Sequence, residues 1–131
     1  MIVVRTQKDK LFNYAECEEL FNRYNTKLEE DGASFREILT RTCFYSFYDI
    51  CTRKLIGCIY YYKKGNRLYV SAFAERGHHK QNLECFQTSL TWWKGNIYAY
   101  CKEKTAIMCL LKSGFKKKSK NMYVLRRNTN G

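Results

Sequence analysis

The sequence contains no proline. Every strand can therefore donate its full ladder of backbone N–H groups, and no helix interior is broken by a pyrrolidine ring. Long apolar runs are missing too: none approaches the roughly 18 residues a membrane-spanning helix requires. Met1-Ile2-Val3-Val4-Arg5 lacks the layout of a secretory signal, so a cytoplasmic protein without membrane contact is expected. Clustered cysteines are also missing. Cys17, Cys43, Cys51, Cys58, Cys85, Cys101 and Cys109 stand singly, with no CxxC pair and no histidine at ligand spacing. That pattern argues against a structural zinc site and a disulfide framework, and for reduced thiols used as small packing residues. Histidine is scarce, at His78 and His79 only. Acids are outnumbered, 12 Asp and Glu against 24 Lys and Arg, for a net charge of +12.

What is present is a globular composition, 45% hydrophobic and 16% aromatic in 131 residues. One domain spanning 1–131, with a core of its own, is expected. The charge surplus implies an anionic contact or solubility by self-repulsion, and it is unevenly placed. Residues 112 to 127 hold Lys112, Lys116, Lys117, Lys118, Lys120, Arg126 and Arg127 with no acid among them. The segment from Glu16 to Asp31 holds six acids.

Ile2 to Thr6 is β-branched and predicts a strand. Asn13 followed by Glu16 has capping-box spacing, and Leu20, Phe21, Tyr24 and Leu28 recur at helical steps, predicting a helix that ends near Asp31-Gly32. Ser34 with Glu37 repeats the capping signal for a second helix to about Arg41. Three antiparallel strands are then predicted over Cys43 to Asp49, Leu55 to Tyr62 and Arg67 to Ala74, with a hairpin turn at Lys63-Lys64-Gly65-Asn66. A basic turn from Glu75 to Gln81 leads into a helix over Asn82 to Lys94, where Leu83, Phe86, Leu90 and Trp93 share a face. A strand at Ile97 to Cys101, a helix at Lys104 to Lys112 and a closing strand at Met122 to Arg126 complete the order. Helical crossover makes the strand at Ile97 parallel to the one before it.

That order, strand, two helices, three antiparallel strands, helix, strand, helix, strand, resembles the GNAT N-acetyltransferase superfamily. Three segments carry the likeness. Ala106-Ile107 through Leu110-Leu111-Lys112-Ser113-Gly114-Phe115 is similar to the family's "A-I…Y-E-K-x-G-F" segment. Leu68-Tyr69-Val70 leads into Arg76-Gly77-His78-His79-Lys80-Gln81, where the family has its Q/R-x-x-G-x-G/A pyrophosphate turn. Ile97-Tyr98-Ala99-Tyr100 falls where the family's fifth strand splays from the fourth to admit the cofactor. The resemblance implies an α+β fold, a mixed and mostly antiparallel sheet with helices on both faces. It also implies acetyl-coenzyme A as cofactor, held by Phe73, Ala74, Arg76, Gly77, His78, His79, Lys80 and Gln81, and an amine of a protein or small molecule as acceptor. The chain departs from the family at several positions: His79 and Gln81 replace the two glycines, Leu110 replaces the usual tyrosine acid, and Glu103 replaces an asparagine.

The residues themselves support parts of this. Arg76, His78, His79 and Lys80 surround a predicted helix N-terminus, where dipole and free N–H groups favour an anion; the alternative is a solvated basic loop. Either histidine could serve as a base near neutral pH, or both are exposed loop residues. Glu75 at the end of its strand could take a proton from an amine, and Tyr98 and Tyr100 could donate one, or pack as structural tyrosines. The basic segment 112 to 127 could contact a protein or the phosphates of a nucleic acid. A compact, basic, proline-free chain with an altered cofactor turn also resembles small GNAT-like proteins of bacteriophages, some of which act by binding rather than catalysis. Enzyme and binding module therefore both remain open.

Overall fold

The computed structural model describes residues 2–24 and 32–127. The elements are β1 (Ile2–Thr6), α1 (Tyr14–Tyr24), α2 (Phe35–Arg41), β2 (Cys43–Asp49), β3 (Leu55–Lys64), β4 (Arg67–Ala74), α3 (His79–Leu90), β5 (Ile97–Tyr100), α4 (Lys104–Lys112), β6 (Lys116–Ser119) and β7 (Met122–Leu125). The seven strands make one sheet in the order β1-β2-β3-β4-β5-β7-β6. Every pairing is antiparallel except β4 with β5.

Local chemistry sets these boundaries. Asn13 Oδ1 accepts from the Glu16 N–H at 3.0 Å and starts α1. At α2 the capping box is complete: Ser34 Oγ accepts from Glu37 N–H at 3.1 Å, and Glu37 Oε1 accepts from Ser34 N–H at 3.2 Å. The expected end of the first helix near Asp31, and Leu28 within it, lie outside the described residues. No described helix is long and apolar enough to cross a membrane.

β3 shows how the sheet holds helices on both faces. Side chains alternate along a strand. Ile59 and Tyr61 enter a core cluster with Cys85, Phe86 and Leu90 of α3 and Leu110 of α4. Cys58 and Tyr60 enter another with Cys17, Leu20 and Phe21 of α1 and Phe35 and Ile38 of α2. This is the expected α+β arrangement.

Three expected boundaries shift. β3 runs on to Lys64, so the hairpin narrows to Gly65-Asn66, with Gly65 at φ +63° supplying the left-handed residue. α3 begins at His79 rather than Asn82 and stops at Leu90. Gly77, at φ +89°, turns the chain within a few residues of β4, so the helix starts sooner than its apolar stripe suggests. The basic segment after α4 is not a tail with one closing strand. Lys116–Ser119 is itself a strand, folded back on β7 through Asn121 at φ +61°. Its side chains are uniformly exposed, so no alternation marks it in the sequence.

Candidate active site

β4 and β5 are paired only through Leu68↔Ile97 and Tyr69↔Tyr98. Beyond Tyr69, β4 continues for five residues without a partner on that side, while β5 ends two residues later at Tyr100. The strands splay, and a cleft of about 590 Å³ opens between them. Residues Val70 to Ala74 line it. In an extended strand every second residue turns its N–H and C=O toward the same edge, so this edge offers backbone donors to whatever enters.

The cleft opens onto the start of α3. The first intrahelical bond there runs from Asn82 N–H to His78 C=O at 2.8 Å, and no side chain caps the helix. The first-turn N–H groups have no intrahelical partner, and the first turn carries no acid. Dipole and donors together favour an anion here.

The two histidines are used differently. His79 and Arg76 line the cleft. His78 turns to the neighbouring loop: its Nδ1 meets Gln81 Oε1 at 2.9 Å, and Gln81 Nε2 donates to Asp49 Oδ2 at 3.0 Å. With the amide oxygen as acceptor, His78 carries its proton on Nδ1. The Gln81 donor, aided by the N–H groups of Thr52 and Cys51, holds the Asp49 carboxyl below the usual carboxylate range. Gln81 thus replaces a glycine of the family turn with a side chain directed away from the cleft. Gly77 has open space where a Cβ would stand, and Lys80 is exposed. Ala74 lines the cleft, and Phe73, which also borders it, is buried against Phe21, Phe44 and Tyr60.

Close packing fixes the end of β4. A Cβ on Gly57 would stand 2.4 Å from Asn82 Oδ1 and 3.3 Å from Ala74 Cβ, so a side chain there would displace the Asn82 amide at the start of α3. Glu75 sits at the rim with its carboxylate gripped by Arg23 of α1, at 3.0 and 2.8 Å from Nη1. Tyr100 lines the cleft on the opposite wall, 41% exposed, its ring parallel to Tyr69 at 5.6 Å between centroids. Tyr98 is buried, does not border the cleft, and packs beneath the Arg67 guanidinium at 4.6 Å.

Glu103, at the N-cap of α4, also lines the cleft, as do Cys101 and Cys109. Burial pushes the Cys109 thiol up, with the neighbouring Cys101 adding to it. The sequence marks Glu103 only as standing in place of the family's asparagine and the two cysteines only as packing thiols; nothing in it brings the three together at the cleft. Leu110, at the place of the family's tyrosine, borders the cleft and is buried. No group of residues able to hold a metal ion occurs among the described residues.

The sheet is split between two parallel strands, with a helix N-terminus that no side chain caps at its mouth, and the chain has the fold of solved GNAT acetyltransferases. An acetyltransferase from Agrobacterium tumefaciens superimposes with a TM-score of 0.71, over 98% of this chain and 91% of that one, at 8% identity. A GNAT-family acetyltransferase from Bacillus anthracis gives 0.70 over 95% and 94%, at 11% identity. A GNAT-family acetyltransferase from Elizabethkingia anophelis, with acetyl-CoA bound, gives 0.63 over 96% and 98%, at 9% identity. No protein-family model and no curated protein matches the sequence.

Proposed function

We propose that this chain is an acyl-coenzyme A-dependent N-acyltransferase. The observation that carries the reading is the splay of β4 from β5 onto the uncapped start of α3, with Arg76 and His79 at its mouth. Acetyl-coenzyme A, if bound there, would supply an activated thioester carbonyl. The α3 N-terminus and Arg76 would hold its pyrophosphate, with His79 beside them. The open edge of β4 supplies N–H donors for negative charge that develops on the carbonyl oxygen. Glu75, fixed by Arg23, would receive the proton an acceptor ammonium must lose before it attacks, and Tyr100 would be placed to protonate the leaving thiolate. Tyr98 has no part in this scheme, because its ring is committed beneath Arg67.

Burial of Leu110 at the usual tyrosine position favours a second reading, a GNAT-fold module that binds without catalysis. Calorimetric titration with acetyl-coenzyme A separates the two. Micromolar binding that Arg76→Ala with His79→Ala weakens about tenfold or more supports the enzyme. No heat at millimolar cofactor would defeat it and leave the binding module.

A further inference from the structure

The sheet ends in two edge strands, β1 and β6, and they are finished differently. An edge strand presents backbone N–H and C=O groups without partners, and lysines, bulges or proline ordinarily keep another strand away. β6 has two of these protections. Lys116, Lys117 and Lys118 are exposed along it, and its pairing with β7 shifts register between Lys117 and Ser119. β1 has neither. Ile2 to Thr6 pairs with β2 in unbroken register, and no described strand pairs with its other side. Its residues are Ile-Val-Val-Arg-Thr, all half-buried, and its one charge, Arg5, meets Asp9 of the same chain at 3.7 Å. Apolar surface flanks it. On the α3 face, Ile2 and Val4 pack against the core beside Tyr45, and Trp92 covers Tyr45 and Phe47 while staying 43% exposed. Ile50, next to Asp49 at the Ile2 end of the strand, is 46% exposed.

From this contrast we infer that β1 is an interface, and that its partner is β1 of a second copy of this chain, paired antiparallel about a twofold axis. Symmetry fixes the register. An axis normal to the sheet keeps each face on its own side, so even-numbered residues meet even and odd meet odd. Only an axis through Val4 uses all five residues. Val4 then meets the partner's Val4, Ile2 meets the partner's Thr6, and Val3 meets the partner's Arg5. Every pair on the α3 face is β-branched, a class that packs well across strands. Charge points to the same edge. A chain of net charge +12 repels its own copy, and β1 brings only a guanidinium already paired with Asp9. Two sheets of seven strands join into one of fourteen. β2 and β3 separate β1 from β4, so neither β1 reaches a cleft, and the inference stands apart from the acyltransferase reading.

Sedimentation equilibrium of the whole chain tests this. The wild type dimerises at micromolar concentration, and more tightly as salt rises, because salt screens the repulsion between two +12 chains. Val3→Lys sets a lysine against the partner's Arg5 on both sides of the axis and weakens the dimer roughly tenfold. Val3→Glu sets a carboxylate against the same guanidinium and leaves the dimer at least as tight. Ser119→Lys adds the same charge at the β6 edge and leaves it within about twofold of wild type. A wild type still monomeric at about 100 μM in raised salt would overturn the proposal. So would a dimer that Val3→Lys leaves intact, or one that both Val3 variants weaken alike. Hydrogen exchange reads the same contact without any substitution. β1 amides gain protection as protein concentration rises, while β6 amides do not. Protection gained at β6, or nowhere, would overturn the assignment to β1.

Discussion

The two strand-to-helix junctions at the open end of the sheet occupy equivalent places in the topology and both lack a side-chain cap, yet the charges beside them differ in sign. Between β4 and α3 the chain turns through Gly77 in the left-handed region, and the helix begins without an acid in its first turn or a side-chain cap. Between β5 and α4 there is no glycine, and Glu103 stands at the N-cap position without a capping hydrogen bond, ahead of a first turn that also lacks an acid. A carboxylate there answers the positive end of its own helix. The difference between the two termini is one of charge: the Glu103 carboxylate stands at the start of α4, whereas Arg76 and His79 stand at the start of α3. On the acyltransferase reading, the cofactor side is the one whose helix start carries cations and no carboxylate.

The most damaging way to break this difference is at the turn itself. Gly77→Val forces a β-branched residue into φ +89°, a conformation that costs about 1–3 kcal/mol and shifts the first turn of α3. Acetyl-coenzyme A affinity is expected to fall by about tenfold or more in calorimetry, with a matching loss in urea stability. Next in size, Arg76→Glu makes the first junction resemble the second. It is expected to weaken acetyl-coenzyme A roughly tenfold while stability holds or rises by about 0.3–1 kcal/mol, since the new carboxylate answers the α3 dipole. A variant that loses both affinity and stability would show that Arg76 holds the turn together rather than attracting the anion.

Gln81→Ala separates turn from sheet more gently, and pH reads it. The native Asp49 carboxyl titrates below its ordinary value of 3.8, chiefly through the Gln81 donor. A depressed carboxyl stabilises the fold fully above the unfolded value, and that contribution is lost as pH falls through the lower folded one. The variant is therefore less stable than wild type at neutral pH, and the gap narrows on acidification below about pH 4. A constant gap in urea midpoints across that range would mean that Asp49 is not linked through Gln81.

Much of this fold is legible in the sequence because its signals are local. Ser34 and Glu37 name the start of α2, and the change from helical to alternating spacing at Cys43 names the sheet. The cleft shows only as a likeness in element order, because a splay is a failure of pairing and leaves no periodic trace in Val70 to Ala74. The role of Gln81 was hidden for a related reason. Its partner Asp49 lies 32 positions away, so nothing near residue 81 tells a crowding side chain from one directed away. Lys116 to Ser119 was missed as a strand because edge exposure removes the alternation by which strands are read.

The smallest expected effect concerns the strut beside the first junction. Arg23 ties α1 to Glu75 at the end of β4, whereas no ion pair among the described residues holds Glu103. Both partners of the strut are partly exposed, at 46% and 32%, so solvent screens the pair and it contributes about 0.2–1 kcal/mol. Arg23→Gln should lower stability by no more than that, and the difference should fade as salt is raised. Acetyl-coenzyme A affinity should stay within roughly twofold of wild type, because the proposed anion site uses helix N–H groups and Arg76, not Arg23. Acyl transfer is the sensitive readout. With its guanidinium gone, Glu75 is no longer fixed at the rim, and a general base must be held within hydrogen-bond reach of the proton it takes. Turnover that falls while cofactor affinity holds would mark Glu75 as the proton acceptor. Unchanged turnover would shift that role to the carboxylate on the other wall, Glu103, and the two junctions would then divide anion binding from proton transfer.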